Sequence, residues 1–239
     1  MAALTDRVTG AVARRILKSA TVSAVADLGP VRRIKLAGSD LIDVAWTPGD
    51  KIRFHLGGFD LRTYTPMSWE PVVGSTVVLA YRHGDGPGAT RSRDGEVGAE
   101  VHFLGPQRSV RLDELDAAPL LVGDETSIGL HAAWRTYRPD VAPVAEVMEV
   151  SDGAAFGSAL AAVGLGDTEL VERRPDDAHL DDLARLVADR VRTDPAAPVV
   201  LTGRAQTIAA IRRHLKDEGL ASRSHRAKAY WDPNRSGLD

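Results

Sequence analysis

The stretch Leu61-Arg62-Thr63-Tyr64-Thr65-Pro66-Met67 holds the residue types best equipped for chemistry, and it follows a strand-like run at 51–56 and a Gly57-Gly58 break. An Arg, a Tyr and a Thr on one extended segment are expected on a single face, because side chains in a strand repeat every second residue. That face offers a guanidinium for a phosphate, a phenol to pack on a flat ring and a hydroxyl for a ring nitrogen. The set suits a flavin nucleotide, although an amphipathic strand with one solvated face reads the same way.

Three further stretches follow in order: His83-Gly84-Asp85-Gly86-Pro87-Gly88-Ala89-Thr90, then Leu120-Leu121-Val122-Gly123-Asp124-Glu125-Thr126, and finally Tyr230-Trp231. Taken together with 61–67, they resemble the motifs of the siderophore-interacting protein family, flavin-dependent ferric-siderophore reductases within the ferredoxin-reductase-like superfamily. The resemblance runs from about residue 21 to residue 231. It implies that Arg62 meets the phosphate bridge of FAD, Tyr64 the ribityl chain and ring face, and Thr65 the reactive end of the isoalloxazine, with Thr63 in the same motif. Thr65 is the residue it marks for catalysis, since a hydroxyl beside the flavin N5 stabilises the reacting ring. Gly88, Ala89 and Thr90 would present backbone N–H groups and a hydroxyl to the pyrophosphate, with His83 beside the flavin. Gly123, Asp124, Glu125 and Thr126 would receive the nicotinamide nucleotide, NADPH or NADH, with Gly203 and Arg204 as a further contact. Tyr230 and Trp231 would border the flavin, and Lys228 and Arg235, with Arg226, would form a cationic rim for an anionic ferric chelate.

Several of these residues also have plain structural readings. The 83–90 stretch is a flexible loop by composition, and a lone histidine such as His83 usually packs or hydrogen-bonds. Asp124 or Thr126 caps the helix that follows, and Glu125 favours its positive end. Arg204 either meets a 2′-phosphate or is a solvated helix-start residue, and Arg173-Arg174 is a second candidate for that phosphate. Tyr230-Trp231 fills an interdomain core on the bland reading.

The chain also departs from the family pattern. Met67 stands where a second Arg is common, removing a charged donor that Arg82, Arg91 or Arg93 would have to replace. Ile128-Gly129 replaces a small residue and Pro, and Arg204 replaces an acidic residue.

Composition narrows the classes. At 239 residues the chain has room for two modest domains. With 44% hydrophobic and 26% charged residues it reads as globular rather than disordered. A formal charge of −3 gives no global basic field for nucleic acid or an anionic membrane. The absence of cysteine excludes disulfides, thiol catalysis and cysteine-ligated clusters. No His/Asp/Glu spacing suits a metal, and no apolar run reaches membrane-spanning length, so a cytoplasmic protein is expected.

The pattern of elements predicts how these residues are positioned. After a short helix within residues 1–20, strands are expected at 21–26, 31–37, 51–56, 61–67, 76–81 and 100–104. Six strands in the first ~110 residues predict a small antiparallel flavin-binding barrel. A single helical turn at 88–95 would aim backbone N–H groups at an anion. From residue 119 strands and helices alternate: strands at 120–122, 141–150, 168–172, 199–202 and 226–231, and helices at 125–137, 154–163, 179–191 and 205–218. That alternation predicts a doubly wound parallel-sheet, nucleotide-binding α/β domain, ligands at its carboxyl strand ends. The expected domains are residues 1–115 and 116–239.

The expected function is transfer of electrons from NAD(P)H through FAD to a ferric siderophore, releasing Fe(II). The alternatives are a flavoprotein reductase with another acceptor, a free flavin or a redox partner protein, and a non-catalytic flavin- or siderophore-binding protein. The sequence does not distinguish siderophore classes.

Overall fold

Period-two apolar patterning builds the N-terminal half, and the computed structural model describes residues 17–56, 61–82, 96–221 and 224–233. The expected N-terminal helix lies almost wholly outside them. The 88–95 turn, the His83, Gly88, Ala89 and Thr90 loop, and Arg235 also lie outside. Seven strands form one antiparallel sheet: β1 (Lys18–Leu28), β2 (Val31–Ala37), β3 (Lys51–His55), β4 (Leu61–Tyr64), β5 (Pro66–Glu70), β6 (Ser75–Tyr81) and β7 (Glu100–Gln107). Their order across the sheet is β4-β3-β7-β1-β2-β6-β5.

The strand expected at 61–67 is therefore two strands, which corrects the count from six to seven. β4 pairs with β3 and β5 with β6, at opposite edges of the sheet. Since a single residue, Thr65, separates those edges in the chain, the sheet must curl until its two sides meet, as a barrel does. Pro66 lacks a backbone N–H and begins the new strand, a position where the ladder tolerates proline. Inside the curl, Val22, Leu36, Ile52, Phe54, Trp69, Val78 and Phe103 form a buried cluster.

A 3-10 turn at Leu112–Glu114 leads into the second half. There β8 (Leu120–Asp124), β9 (Ala145–Val150), β10 (Glu169–Glu172), β11 (Val199–Arg204) and β12 (Arg226–Trp231) alternate with α1 (Ile128–Tyr137), α2 (Gly153–Ala162), α3 (Leu180–Thr193) and α4 (Ala205–Asp217). Every pairing is parallel, in the order β10-β9-β8-β11-β12. Chain order reverses between β8 and β11, so the crevice at their carboxyl ends is the switch point where ligands bind in such sheets.

The halves share apolar packing. Val31 and Leu79 of the barrel lie in one buried cluster with Ile128, Met148 and Phe156, and Met67 and Tyr81 pack against it. No helix among the described residues is long and apolar enough to cross a membrane.

Candidate active site

The seam residue Thr65 is buried at 9% exposure, and its hydroxyl oxygen lies 3.4 Å from the phenol oxygen of Tyr230 on β12. A local irregularity aims Tyr230 there. Along β12 the partners step from Ala229–Gly203 to Trp231–Arg204, so Tyr230 is an extra, unmatched residue. Such bulges redirect side chains next to functional sites. Burial raises the Tyr230 phenol to about 12, leaving it a protonated hydrogen-bond donor at neutral pH.

The remaining residues of the first motif stand beside this seam. Arg62 is opposite Phe54 and Tyr64 opposite Ile52, so both share the face of those core residues. The Tyr64 ring lies 5.3 Å from that of Phe54, and burial raises its pKa. Arg62 is exposed and donates to the Leu61 carbonyl, whereas Thr63 pairs with Arg53 on the other face. Thr65 does not share the face of Arg62 and Tyr64 as a strand residue, because adjacent positions alternate and β4 ends at Tyr64. It is brought to the seam by the break between strands.

Met67, partly buried, packs against the apolar interdomain cluster, where its thioether fills space that the family's guanidinium would otherwise occupy. Arg82 does not replace it, since its guanidinium donates to the Gly29 carbonyl and lies 3.5 Å from Asp27. Arg91 and Arg93 lie outside the described residues. Gly129 also has its explanation at the seam: a Cβ there would sit 2.3 Å from the Thr65 carbonyl oxygen, so glycine is what lets α1 approach the barrel this closely.

At the switch point Asp124 caps the 3-10 turn Glu125–Ser127 that leads into α1. Its Oδ1 accepts from the Thr126 backbone N–H at 2.9 Å and hydroxyl at 2.5 Å. Its Oδ2 accepts from Trp231 Nε1 at 2.7 Å. Gly203, at φ +99°, makes room for it, because a Cβ would meet the carboxylate at 2.5 Å. Full burial lifts the Asp124 pKa to about 6.

Glu125 does more than favour a helix end. It accepts from the Ser151 backbone N–H at 2.6 Å and holds Arg173 in two hydrogen bonds of 2.9 and 2.8 Å. Burial alone would raise Glu125, but Arg173 and the backbone donors together lower it.

Arg204 is no solvated helix-start residue. It makes paired bonds of 2.5 and 3.0 Å to Asp177 and another of 2.8 Å to Gln206. Arg173 and Arg204 lie 5.8 and 5.9 Å from the Trp231 ring centroid, so the indole is flanked by two cations. Arg174 turns away to Asp182 at 2.9 Å.

Two buried residues complete the cluster and escape sequence reasoning. Glu149 is fully buried and accepts from Thr207 at 2.7 Å. His179 Nδ1 accepts from the Arg174 backbone N–H at 3.1 Å, so its Nε2 carries the proton and donates to Glu149 at 2.7 Å. Arg173 Nε lies 3.2 Å from the same carboxylate. The available signal was a strand in which two glutamates, Glu146 and Glu149, stand among apolar residues in a buried run, since carboxylates there require partners.

Of the proposed chelate rim, Arg226 and Lys228 stand two residues apart on β12, and Arg235 lies outside the described residues. Lys228 pairs with Thr202, two residues before Tyr230, whereas Arg226 begins β12 and binds the Arg111 carbonyl and Glu114. Five residues of strand, about 17 Å, separate Arg226 from Trp231. No group of three His, Cys, Asp or Glu among the described residues is arranged to hold a metal.

Comparison with known proteins adds to this geometry. The siderophore-interacting protein family model matches residues 117–234. Among solved structures, the siderophore-interacting protein SipS from Aeromonas hydrophila matches at TM-score 0.71 and 18% identity, over 92% of this chain and 93% of that one. A siderophore utilization protein from T. fusca matches at 0.65 and 23%, over 94% and 96%. A ferredoxin reductase in carbazole 1,9a-dioxygenase matches at 0.70 and 16%, over 90% and 69%. These likenesses show a ferredoxin-reductase-like fold. A comparison with curated protein sequences finds no match.

Proposed function

The chain belongs, through residues 117–234, to the siderophore-interacting protein family, and from that premise we propose that it is a flavin-dependent reductase passing electrons from a nicotinamide nucleotide to a ferric siderophore, with release of Fe(II). The observation that carries this reading is the contact of Thr65 with Tyr230, which joins the first motif to the switch point of the parallel sheet. The donors at that seam fit a flavin nucleotide. Arg62 is exposed for a phosphate, Tyr64 offers an aromatic ring, and Thr65 and Tyr230 offer hydroxyls to a polar ring edge.

A bound flavin supplies the conversion of two-electron to one-electron chemistry. The protein's own residues bind and orient. Arg62 neutralises phosphate charge, Tyr64 packs on the ring, and Tyr230 donates a hydrogen bond from a phenol that stays protonated. Trp231, fixed by Asp124, shields the crevice from water. Each nucleotide yields two electrons and each ferric chelate takes one, so two Fe(III) are reduced and one proton is released per NAD(P)H.

The donor is NADH rather than NADPH. Arg173 and Arg204 stand at the strand ends where a 2′-phosphate is met. Both are already held by carboxylates. Asp124, Glu125, Glu149 and Asp177 outnumber the two guanidiniums, so an added phosphate would enter a field that repels it.

A second reading keeps the flavin and gives the electrons to a partner protein. It is favoured by the likeness to structures described as a ferredoxin reductase and as the Amycolatopsis cytochrome P450 reductase GcoB.

The test is an anaerobic assay of FAD-reconstituted protein with NADH or NADPH, a panel of ferric chelates and an Fe(II)-specific trap. Bleaching of the flavin followed by trapped Fe(II) is expected. Protein that acquires no bound FAD spectrum overturns both enzyme readings. Flavin that bleaches without trapped Fe(II) favours the partner-protein acceptor.

A further inference from the structure

A cleft of about 650 Å³ opens between the C-terminal part of α4 and the start of β12. Its apolar floor is Leu201, Ala209, Leu215 and Ala227, its cationic residues are Arg212, Arg213, Lys216 and Arg226, and His225 stands beside them. Among the described residues no carboxylate lines it, in a chain whose net charge is −3.

The helix explains the arrangement. Ile208, Ile211 and Leu215 turn into the core of the α/β half, while positions 209, 212, 213 and 216 repeat at helical spacing on the flank toward β12. Arg212, Arg213 and Lys216 make no ion pair with another described residue, unlike Arg173, Arg185, Arg190, Arg192 and Arg204 elsewhere in this half. Arg226 is anchored by Glu114 and the Arg111 carbonyl, which fixes that wall. The cleft lies at the amino end of β12, about 17 Å along the strand from Trp231, so it is separate from the candidate active site.

We propose that this cleft is a second binding site, for a small organic polyanion with an apolar body and two or more phosphate, sulfonate or carboxylate groups. The volume lies within the 300–1,000 Å³ typical of small-molecule sites, which favours a compact ligand seated in an open cleft over a broad acidic protein surface. The floor covers the apolar body, and Arg212, Arg213 and Lys216, which no described residue pairs, meet the acidic groups from one helix flank.

The probe is pyrene-1,3,6,8-tetrasulfonate, a fluorescent apolar ring bearing four anionic groups, titrated into the full chain saturated with FAD and followed by anisotropy. Saturable one-to-one binding that weakens with salt is expected. Arg212→Glu with Lys216→Glu should weaken it at least about tenfold. A remote control with the same charge change, Arg33→Glu with Lys35→Glu on β2, should keep parental affinity. Thermal melts of both variants establish that they fold. If α4 does not tolerate two reversals, Arg212→Gln with Lys216→Gln serves instead, with an expected loss of about fivefold. Equal affinity in cleft variant and parent, or equal loss in the β2 control, overturns the site.

Discussion

The hydroxyl oxygens of Thr65 and Tyr230 lie 3.4 Å apart although 165 residues separate them in the chain. Thr65 sits where the barrel's two edge strands meet, and Tyr230 is the extra residue of a bulge on the edge of the parallel sheet. The contact therefore depends on two irregularities meeting, and it ties the 61–67 motif to the α/β half. If both hydroxyls face the reacting ring, Thr65→Val should slow anaerobic flavin reduction more than it weakens FAD binding. Tyr230→Phe should behave alike, and a double-mutant cycle should return a coupling of about 0.5–1.5 kcal/mol. Unchanged reduction kinetics in both single variants would remove the pair from the mechanism.

Arg62 is the exposed charge of the motif and lies on the edge strand β4. If Arg62 holds the flavin phosphate as proposed, Arg62→Ala removes a charge-assisted contact worth about 1.5–3 kcal/mol, and FAD affinity should fall roughly ten- to a hundredfold. Fluorescence titration of apoprotein with FAD measures it. Parental affinity would mean that the phosphate bridge is held elsewhere.

Asp177 closes Arg204 with bonds of 2.5 and 3.0 Å. Asp177→Asn withdraws one negative charge and loosens the guanidinium. The ratio of kcat/KM for NADPH over NADH should rise about tenfold, and affinity for 2′,5′-ADP by calorimetry should rise with it. A parent enzyme that already prefers NADPH would refute the donor assignment while leaving the reductase reading intact.

Asp124 carries a pH signature. Its pKa is about 6 in the fold, above the ordinary 3.8, so the folded state binds the proton more tightly than the unfolded chain. The stabilisation from that proton is complete below pH ~4 and is lost as pH rises through 6. Between pH 4.5 and 7.5 the parent should lose about 2 kcal/mol relative to Asp124→Asn, which cannot ionise. Urea unfolding of both proteins at the two values measures this difference, in which the titration of other carboxylates cancels. A pH-independent difference would show that Asp124 ionises at its ordinary value.

Gly129→Ala introduces a methyl 2.3 Å from the Thr65 carbonyl, a backbone atom with little room to retreat. The clash should cost about 1–3 kcal/mol and separate Thr65 from Tyr230, weakening FAD binding as well. Parental stability and affinity together would mean that α1 does not press on the seam.

The sequence by itself determined the element types. Period-two runs and the later strand–helix alternation encode the antiparallel and parallel sheets, and the β12 bounds, Arg226–Trp231, coincide with the run read from sequence. It also determined the chemistry available in Arg62, Tyr64, Thr65 and Tyr230-Trp231, because residue type is local information. Only the tertiary structure decided that the 61–67 run breaks at Thr65, since the break follows from β4 and β5 pairing with different partners. It likewise decided that Met67 packs, partly buried, against the cluster shared by the halves, and that Arg173 and Arg204 are held by Glu125, Glu149 and Asp177. Partners of buried charges are chosen by where strand ends converge in space, and the periodicity of any one segment contains no trace of that convergence.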